Sequence, residues 1–169
     1  DQWMMESVRR GGAPTLRLYG WQPACLSLGR NQPSRHIDAA ALRALGVDIV
    51  RRMTGGRAVV HDREITYSVV VPARGLGAPR TAYGLINQLL RDALRDAGVA
   101  AEIAEDASAP TPIPSSAPCF ADPVPGELLL DGRKLVGSAQ IHLDGVLLQH
   151  GSILLERSPL IREVEKAAG

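Results

Sequence analysis

The run Arg51-Arg52-Met53-Thr54-Gly55-Gly56-Arg57-Ala58-Val59-Val60-His61 sets three guanidiniums, a diglycine and an imidazole between two apolar, strand-like stretches. Glycines without a Cβ let backbone N–H groups come close to a ligand, and neighbouring arginines add fixed charge and forked donors. The run therefore suits a turn that holds an anionic or carbonyl-bearing group; a tight turn on a basic surface is the plainer alternative. His61 reads either as a turn histidine satisfied by its surroundings or as a group that orients Gly55-Gly56. Two thiols complete the reactive inventory. Cys25 lies in the apolar run Ala24–Leu28, where a cysteine behaves as a small hydrophobe. Cys119 follows a proline-rich stretch and is either an inert buried thiol or a nucleophile. The two cysteines lack metal-ligand spacing, and neither a His-Glu-x-x-His run, a P-loop nor a dinucleotide fingerprint occurs, so no metal is expected.

The bulk properties narrow the field. A chain of 169 residues with 45% hydrophobic content makes one well-cored domain over 1–169. With 19 Lys+Arg against 18 Asp+Glu the formal charge is +1, so nothing global calls for nucleic acid or a membrane surface, and electrostatic recognition must be local. No apolar stretch approaches the ~20 residues of a membrane span, and no basic-then-apolar leader opens the sequence, which makes a cytoplasmic protein the expectation. The sequence starts at Asp1 and stops at Gly169 just after Leu160–Lys166, which reads as the opening of a charged helix. A domain truncated at its C-terminus is expected.

The elements that must position these groups follow from pattern. Leu16–Tyr19 and Ala24–Leu28 are β-prone runs separated by Gly20 and Pro23, suiting a pair of strands on a tight connection. Asp38 caps a short helix through Leu42 and Leu45 that Gly46 ends, and Val47–Val50 is a strand entering the arginine turn. Ala58–Val60 and Ile65–Val71 are strands leaving it, the second with Ile65, Tyr67, Val69 and Val71 on one face. Tyr83, Ile86, Leu90, Ala93, Leu94 and Ala97 recur at helical spacing between Thr81 and Ala97, a helix packed on a sheet. Four prolines between Asp106 and Pro118 leave a loop that delivers Cys119. The steps Asp131-Gly132 and Asp144-Gly145 separate Glu127–Leu130, Lys134–Leu143 and Val146–Leu155, an antiparallel meander. The sum is an α+β domain: a mixed or antiparallel sheet carrying helices on one face.

Several blocks taken together resemble the biotin/lipoate protein ligase superfamily: Trp21-Gln22-Pro23 with Ser27–Gln32, Arg51–His61 continuing through Glu64–Ser68, Gly132-Arg133-Lys134-Leu135-Val136-Gly137-Ser138-Ala139-Gln140, and Gln149–Ser152. They run in family order from about Leu16 to Leu155. Cys119-Phe120, leading through Gly126-Glu127-Leu128 to Lys134, is similar to the branch of octanoyl-carrier-protein:protein N-octanoyltransferases with a loop cysteine. Arg57, where many ligases have a third glycine, points the same way.

The resemblance implies Cys119 as nucleophile and Lys134 as its charged partner. It further implies substrate binding by Arg51, Arg52, Thr54, Gly55, Gly56, Arg57, Ala58, His61, Gly137, Ser138, Ala139 and His150. A free thiol titrates near ~8.5, and a nearby ammonium lowers that by roughly one to several units. The implied reaction takes an octanoyl group from acyl carrier protein onto Cys119 and passes it to a lysine of a lipoyl domain or glycine-cleavage H protein. It needs no cofactor. Lys134 and backbone donors near Gly55-Gly56 would stabilise the oxyanion, and Val69, Val71 and Val136 would line an apolar slot. The alternatives are an ATP- and magnesium-dependent lipoate-protein ligase, with Arg51, Arg52 and Lys134 on an acyl-adenylate phosphate; an amidotransferase moving octanoyl or lipoyl groups between lipoyl proteins; a non-catalytic lipoyl-binding module; and a Cys119/His150 hydrolase. Family members usually continue beyond the Gln149–Ser152 block, and their acidic N-terminal helix is reduced here to Asp1–Ser7.

Overall fold

The computed structural model describes residues 1–104 and 125–168; the proline-rich stretch 106–118 and Cys119-Phe120 lie outside the described residues. Helix α1 (Gln2–Arg9) opens the chain and is followed by β1 (Thr15–Tyr19), β2 (Cys25–Leu28), α2 (Ala39–Ala44), β3 (Asp48–Arg51), β4 (Val59–His61) and β5 (Glu64–Pro72). Helix α3 (Pro79–Asp96), β6 (Glu102–Ile103), β7 (Leu128–Leu130), β8 (Arg133–Leu143), β9 (Val146–Leu154) and α4 (Ile161–Ala168) complete the described elements. The strands form a six-stranded sheet in the order β1-β5-β9-β8-β7-β6 and a three-stranded sheet in the order β3-β2-β4. The α+β class expected from the sequence is the class observed.

Local chemistry accounts for most boundaries. Asp38 Oδ1 accepts the backbone N–H groups of Ala40 and Ala41 at 3.1 and 2.9 Å and starts α2. Gly46, at φ +70, lets Val47 N–H reach back to the Leu42 carbonyl at 3.0 Å and ends it. Both Asp-Gly steps form the positive-φ turns that match strand twist, with φ 50 and 71 at Asp131-Gly132 and 49 and 77 at Asp144-Gly145. The result is the expected β7-β8-β9 meander, interrupted by a register shift at Leu128/Leu129.

Two expectations change. The runs read as a strand pair separate: β1 joins β5 at the edge of the large sheet, whereas β2 becomes the centre of the small one, parallel to β3 and antiparallel to β4. Burial explains the split, because every residue of β2 is buried while β1 is exposed at Leu16, Arg17 and Leu18. Nor are the helices collected on one face. The odd positions Tyr67, Val69 and Val71 of β5 pack with Leu147 against Ala82 and Ile86 of α3. The even position Val70, with Val146 and Leu148, packs against Met4, Met5 and Val8 of α1. Strand side chains alternate, so α3 and α1 cover opposite faces of the large sheet. The other two helices, α2 and α4, serve the small sheet: Leu42, Val164 and Ala167 pack with Leu26 and Leu28.

This arrangement also corrects the expected slot. Val136 is fully buried, and Val69 and Val71 are partly buried, in the core beneath α3. Those three side chains are committed to holding helix to sheet.

Candidate active site

The arginine turn between β3 and β4 closes on the loop that follows β2. Register places Leu28 beside Arg51, and Arg52 N–H donates to the Leu28 carbonyl at 3.0 Å while Arg30 N–H donates to the Thr54 carbonyl at 2.8 Å. The guanidiniums finish the closure. Arg51 Nη1 donates to the carbonyls of Gly29 and Gln32 at 2.8 and 2.7 Å. Arg52 donates from Nη1 to the Ser27 carbonyl at 2.9 Å and from Nη2 to the Gly55 and Arg57 carbonyls, both at 2.7 Å. Forked donors expected to meet a ligand thus bind the protein's own backbone and set the shape of the turn. Their charge remains local, and the turn stays electropositive.

The glycines divide by role. Gly56 has φ +94, and a Cβ there would stand 2.9 Å from Arg52 Nη2; a Cβ at Gly29 would collide with the Gly56 carbonyl. Gly29 is glycine because the two loops touch backbone to backbone there, and Gly56 because its left-handed backbone disfavours a side chain. A Cβ at Gly55 would meet nothing within 4 Å, so this is the position of the turn that opens to free space.

Thr54, fully buried, ties the turn to the large sheet. Its hydroxyl lies 2.7 Å from His150 Nε2, and His150 Nδ1 lies 2.7 Å from Asp1 Oδ2. Asp1 Oδ1 in turn accepts from Ser68 Oγ at 2.7 Å. Burial first, and then the Arg52 guanidinium, lower the His150 pKa to about 4. The imidazole is therefore neutral: Nδ1–H donates to Asp1 and Nε2 accepts from Thr54.

A second polar cluster lies along the same face. Glu64 Oε1 accepts from Thr66 Oγ1 at 2.6 Å and from Ser152 Oγ at 2.9 Å, and His61 Nδ1 lies 2.6 Å away. Trp21 stacks on the His61 ring with centroids 4.5 Å apart and donates Nε1–H to Thr66 Oγ1 at 2.8 Å. These partners anchor His61 to β5 and β9. Cross-strand pairing puts Ala139 beside His150 and Gly137 beside Ser152, which sets two small residues next to both clusters. Ser138, grouped with them in the sequence reading, alternates to the opposite face, where its Oγ is 2.6 Å from the Tyr67 hydroxyl. Gln149 Nε2 donates to that hydroxyl at 3.2 Å and to Asn87 Oδ1 at 2.9 Å, a core network under α3.

Lys134 lies on the same strand as the two small residues. Its Nζ is 2.8 Å from Glu127 Oε1, with the side chains only 3% and 7% exposed. It precedes Gly137 by three residues along β8, roughly 10 Å at strand rise. Cys119, its expected partner, lies outside the described residues. Cys25 is buried in β2, and burial pushes its thiol up to about 11, as suits an inert structural cysteine. Among the described residues no group of three or more His, Cys, Asp or Glu could hold a metal ion, and no helix is long and apolar enough to cross a membrane.

The lipoyl protein ligase A/B catalytic domain matches residues 1–161. The chain belongs to this family. Octanoyltransferase LipM of Kyrpidia tusciae is 47% identical over 167 residues, covering 94% of this chain and 61% of that protein. Octanoyltransferase LipM of Geobacillus kaustophilus is 45% identical over 151 residues, 85% of this chain and 54% of its own. The chain thus spans little more than half the length of these curated relatives. Among solved structures, lipoate-protein ligase A bound with ATP superposes with a TM-score of 0.74 at 21% identity, over all of this chain and 68% of the other. A bi-partite lipoate protein ligase from Thermoplasma acidophilum gives 0.68 at 22% identity, over 91% of this chain and 55% of the other. At that identity the structural likeness speaks for the fold.

Within the family frame, two residues here escaped the assignment of roles from sequence. No local pattern links Asp1 to a histidine 149 positions away. Glu127 had a usable signal. The Asp131-Gly132 turn pairs Leu130 with Arg133 and Leu129 with Lys134, so the hairpin folds Glu127 back toward Lys134.

Proposed function

We propose that this domain is an octanoyltransferase that carries the acyl group through a thioester on Cys119. The observation that carries the reading is the likeness to curated octanoyltransferases across most of this chain. The thiolate of Cys119 attacks the thioester carbonyl of octanoyl-acyl carrier protein; the new C–S bond forms, the old one breaks, and the carrier thiol leaves with a proton. The amine of an acceptor lysine on a lipoyl domain or glycine-cleavage H protein then attacks. A C–N bond forms, the Cys119 C–S bond breaks, and the amine's proton returns to the thiol. The first exchange is nearly isoenergetic and the second runs downhill to an amide, so ATP is not required.

The site chemistry supports the same reading. Lys134 supplies a buried ammonium for the anionic intermediates. Arg51 and Arg52 direct donors to backbone carbonyls, which favours a shaped turn for a neutral acyl thioester over a clamp for an adenylate phosphate. The test is the intact mass of the protein mixed with octanoyl-acyl carrier protein without ATP. A single hydroxylamine-labile octanoyl adduct, absent from Cys119→Ala, is the expected result. An unmodified wild-type protein, with transfer appearing only when free acid, ATP and magnesium are supplied, would replace this reading by the ligase.

A further inference from the structure

Glu127 and Lys134 form an ion pair at the flank of the α3 core. Nζ and Oε1 are 2.8 Å apart, and neither side chain is more than 7% exposed. Leu128, Leu135 and Val136, close by in sequence, are buried apolar residues. Removing two charges from water costs several kcal/mol per ion, and well-packed apolar side chains of the same volume are often at least as stable. Stability alone gives no reason for a carboxylate here. The backbone adds a second observation: the β7–β8 register shifts between Leu128 and Leu129, whose partners on β8 are Val136 and Lys134. Such irregularities re-aim a side chain next to functional sites.

We infer that Glu127 is a positioning residue for the acyl-transfer reaction, fixing the direction of the Lys134 ammonium while Lys134 meets the reacting groups. The inference rests on the octanoyltransferase reading above. An ammonium on a four-carbon stem has many rotamers, and it stabilises a developing oxyanion only if it is held in place before the charge appears. The carboxylate, 2.8 Å from Nζ, selects one placement of the ammonium. It makes no bond to substrate and gives up no proton in the cycle. Its removal therefore slows the chemical step and leaves donor binding alone.

The test is a double-mutant cycle on the rate of octanoyl-adduct formation, read by intact mass under single-turnover conditions. Glu127→Gln is made alone and on a Lys134→Met background, in which uncatalysed thiol–thioester exchange leaves a slow residual rate. Expected is a loss of about 10–100-fold on the wild-type background, with an unchanged half-saturating donor concentration, and less than about threefold on Lys134→Met. Glu127→Asp, which keeps the charge but withdraws it by one methylene, recovers part of the rate and carries the comparison if Glu127→Gln does not fold. Equal losses on both backgrounds would make Glu127 a structural residue only and overturn the inference. So would an undiminished rate in Glu127→Gln. Absence of any adduct on the wild-type protein is a different result, since it removes the octanoyltransferase reading itself.

Discussion

Thr54 and His150, 96 positions apart in the chain, share a buried hydrogen bond of 2.7 Å that joins the arginine turn of the small sheet to the central strands of the large one. The two sheets contribute different chemistry. One supplies an electropositive turn with an open glycine, the other a neutral imidazole flanked by small residues. The hydrogen bond helps set their spacing.

Thr54→Val keeps the shape and removes the donor. His150 Nε2 then loses its partner in a buried site, and stability should fall by about 1–3 kcal/mol, measured as a lower urea midpoint at an unchanged slope. A midpoint equal to that of the wild type would mean that water reaches the imidazole.

Stability should also depend on pH through His150. Its folded pKa, about 4, lies below the ordinary histidine value of about 6.5, so the unfolded chain binds the proton more readily. The contribution is complete above pH ~6.5 and is lost as pH falls toward 4, by about 3 kcal/mol in all. Urea titrations between pH 7 and pH 4.5 should show this slope, and His150→Gln should flatten it. A slope that survives the substitution would assign the proton uptake to another group.

The glycines of the interlocked loops predict opposite outcomes. Gly29→Ala drives a methyl into the Gly56 carbonyl and should cost more than ~3 kcal/mol or prevent folding. Gly55→Ala points into open space and should stay within about 1 kcal/mol of the wild type. If Gly55→Ala folds normally and still slows adduct formation, the methyl is occupying ligand space. If it changes neither, the ligand does not approach this position.

Cys25 should be silent. With its thiol pushed up to about 11, less than about one part in a thousand is thiolate at pH 7.5, and the residue is buried. In Cys119→Ala, iodoacetamide should add nothing to the native protein and one label after unfolding. Rapid native labelling would show that β2 opens.

The sequence alone determined the elements whose signals are local. A side-chain cap at Asp38, glycines at φ > 0 and the two Asp-Gly turns act within a few residues, so the helix over Ala39–Ala44 and the β7-β8-β9 meander are legible without tertiary information. The blocks that mark the family are contiguous and equally readable. Tertiary structure decided where donors and faces point. From sequence, Arg51 and Arg52 read as forked donors for an anionic or carbonyl-bearing group; only the docking of the segment after β2 against the turn supplies the backbone carbonyls of Ser27, Gly29 and Gln32 that engage them. Ser138 reads as a neighbour of Gly137 and Ala139, yet strand alternation fixed by pairing with β9 turns it toward Tyr67. Val69, Val71 and Val136 read as an available apolar lining until α3 covers them. Hydrophobic patterning says that a face is buried, but it carries no information about which element does the burying. That choice depends on contacts between segments far apart in the chain, and those exist only once both sheets have assembled.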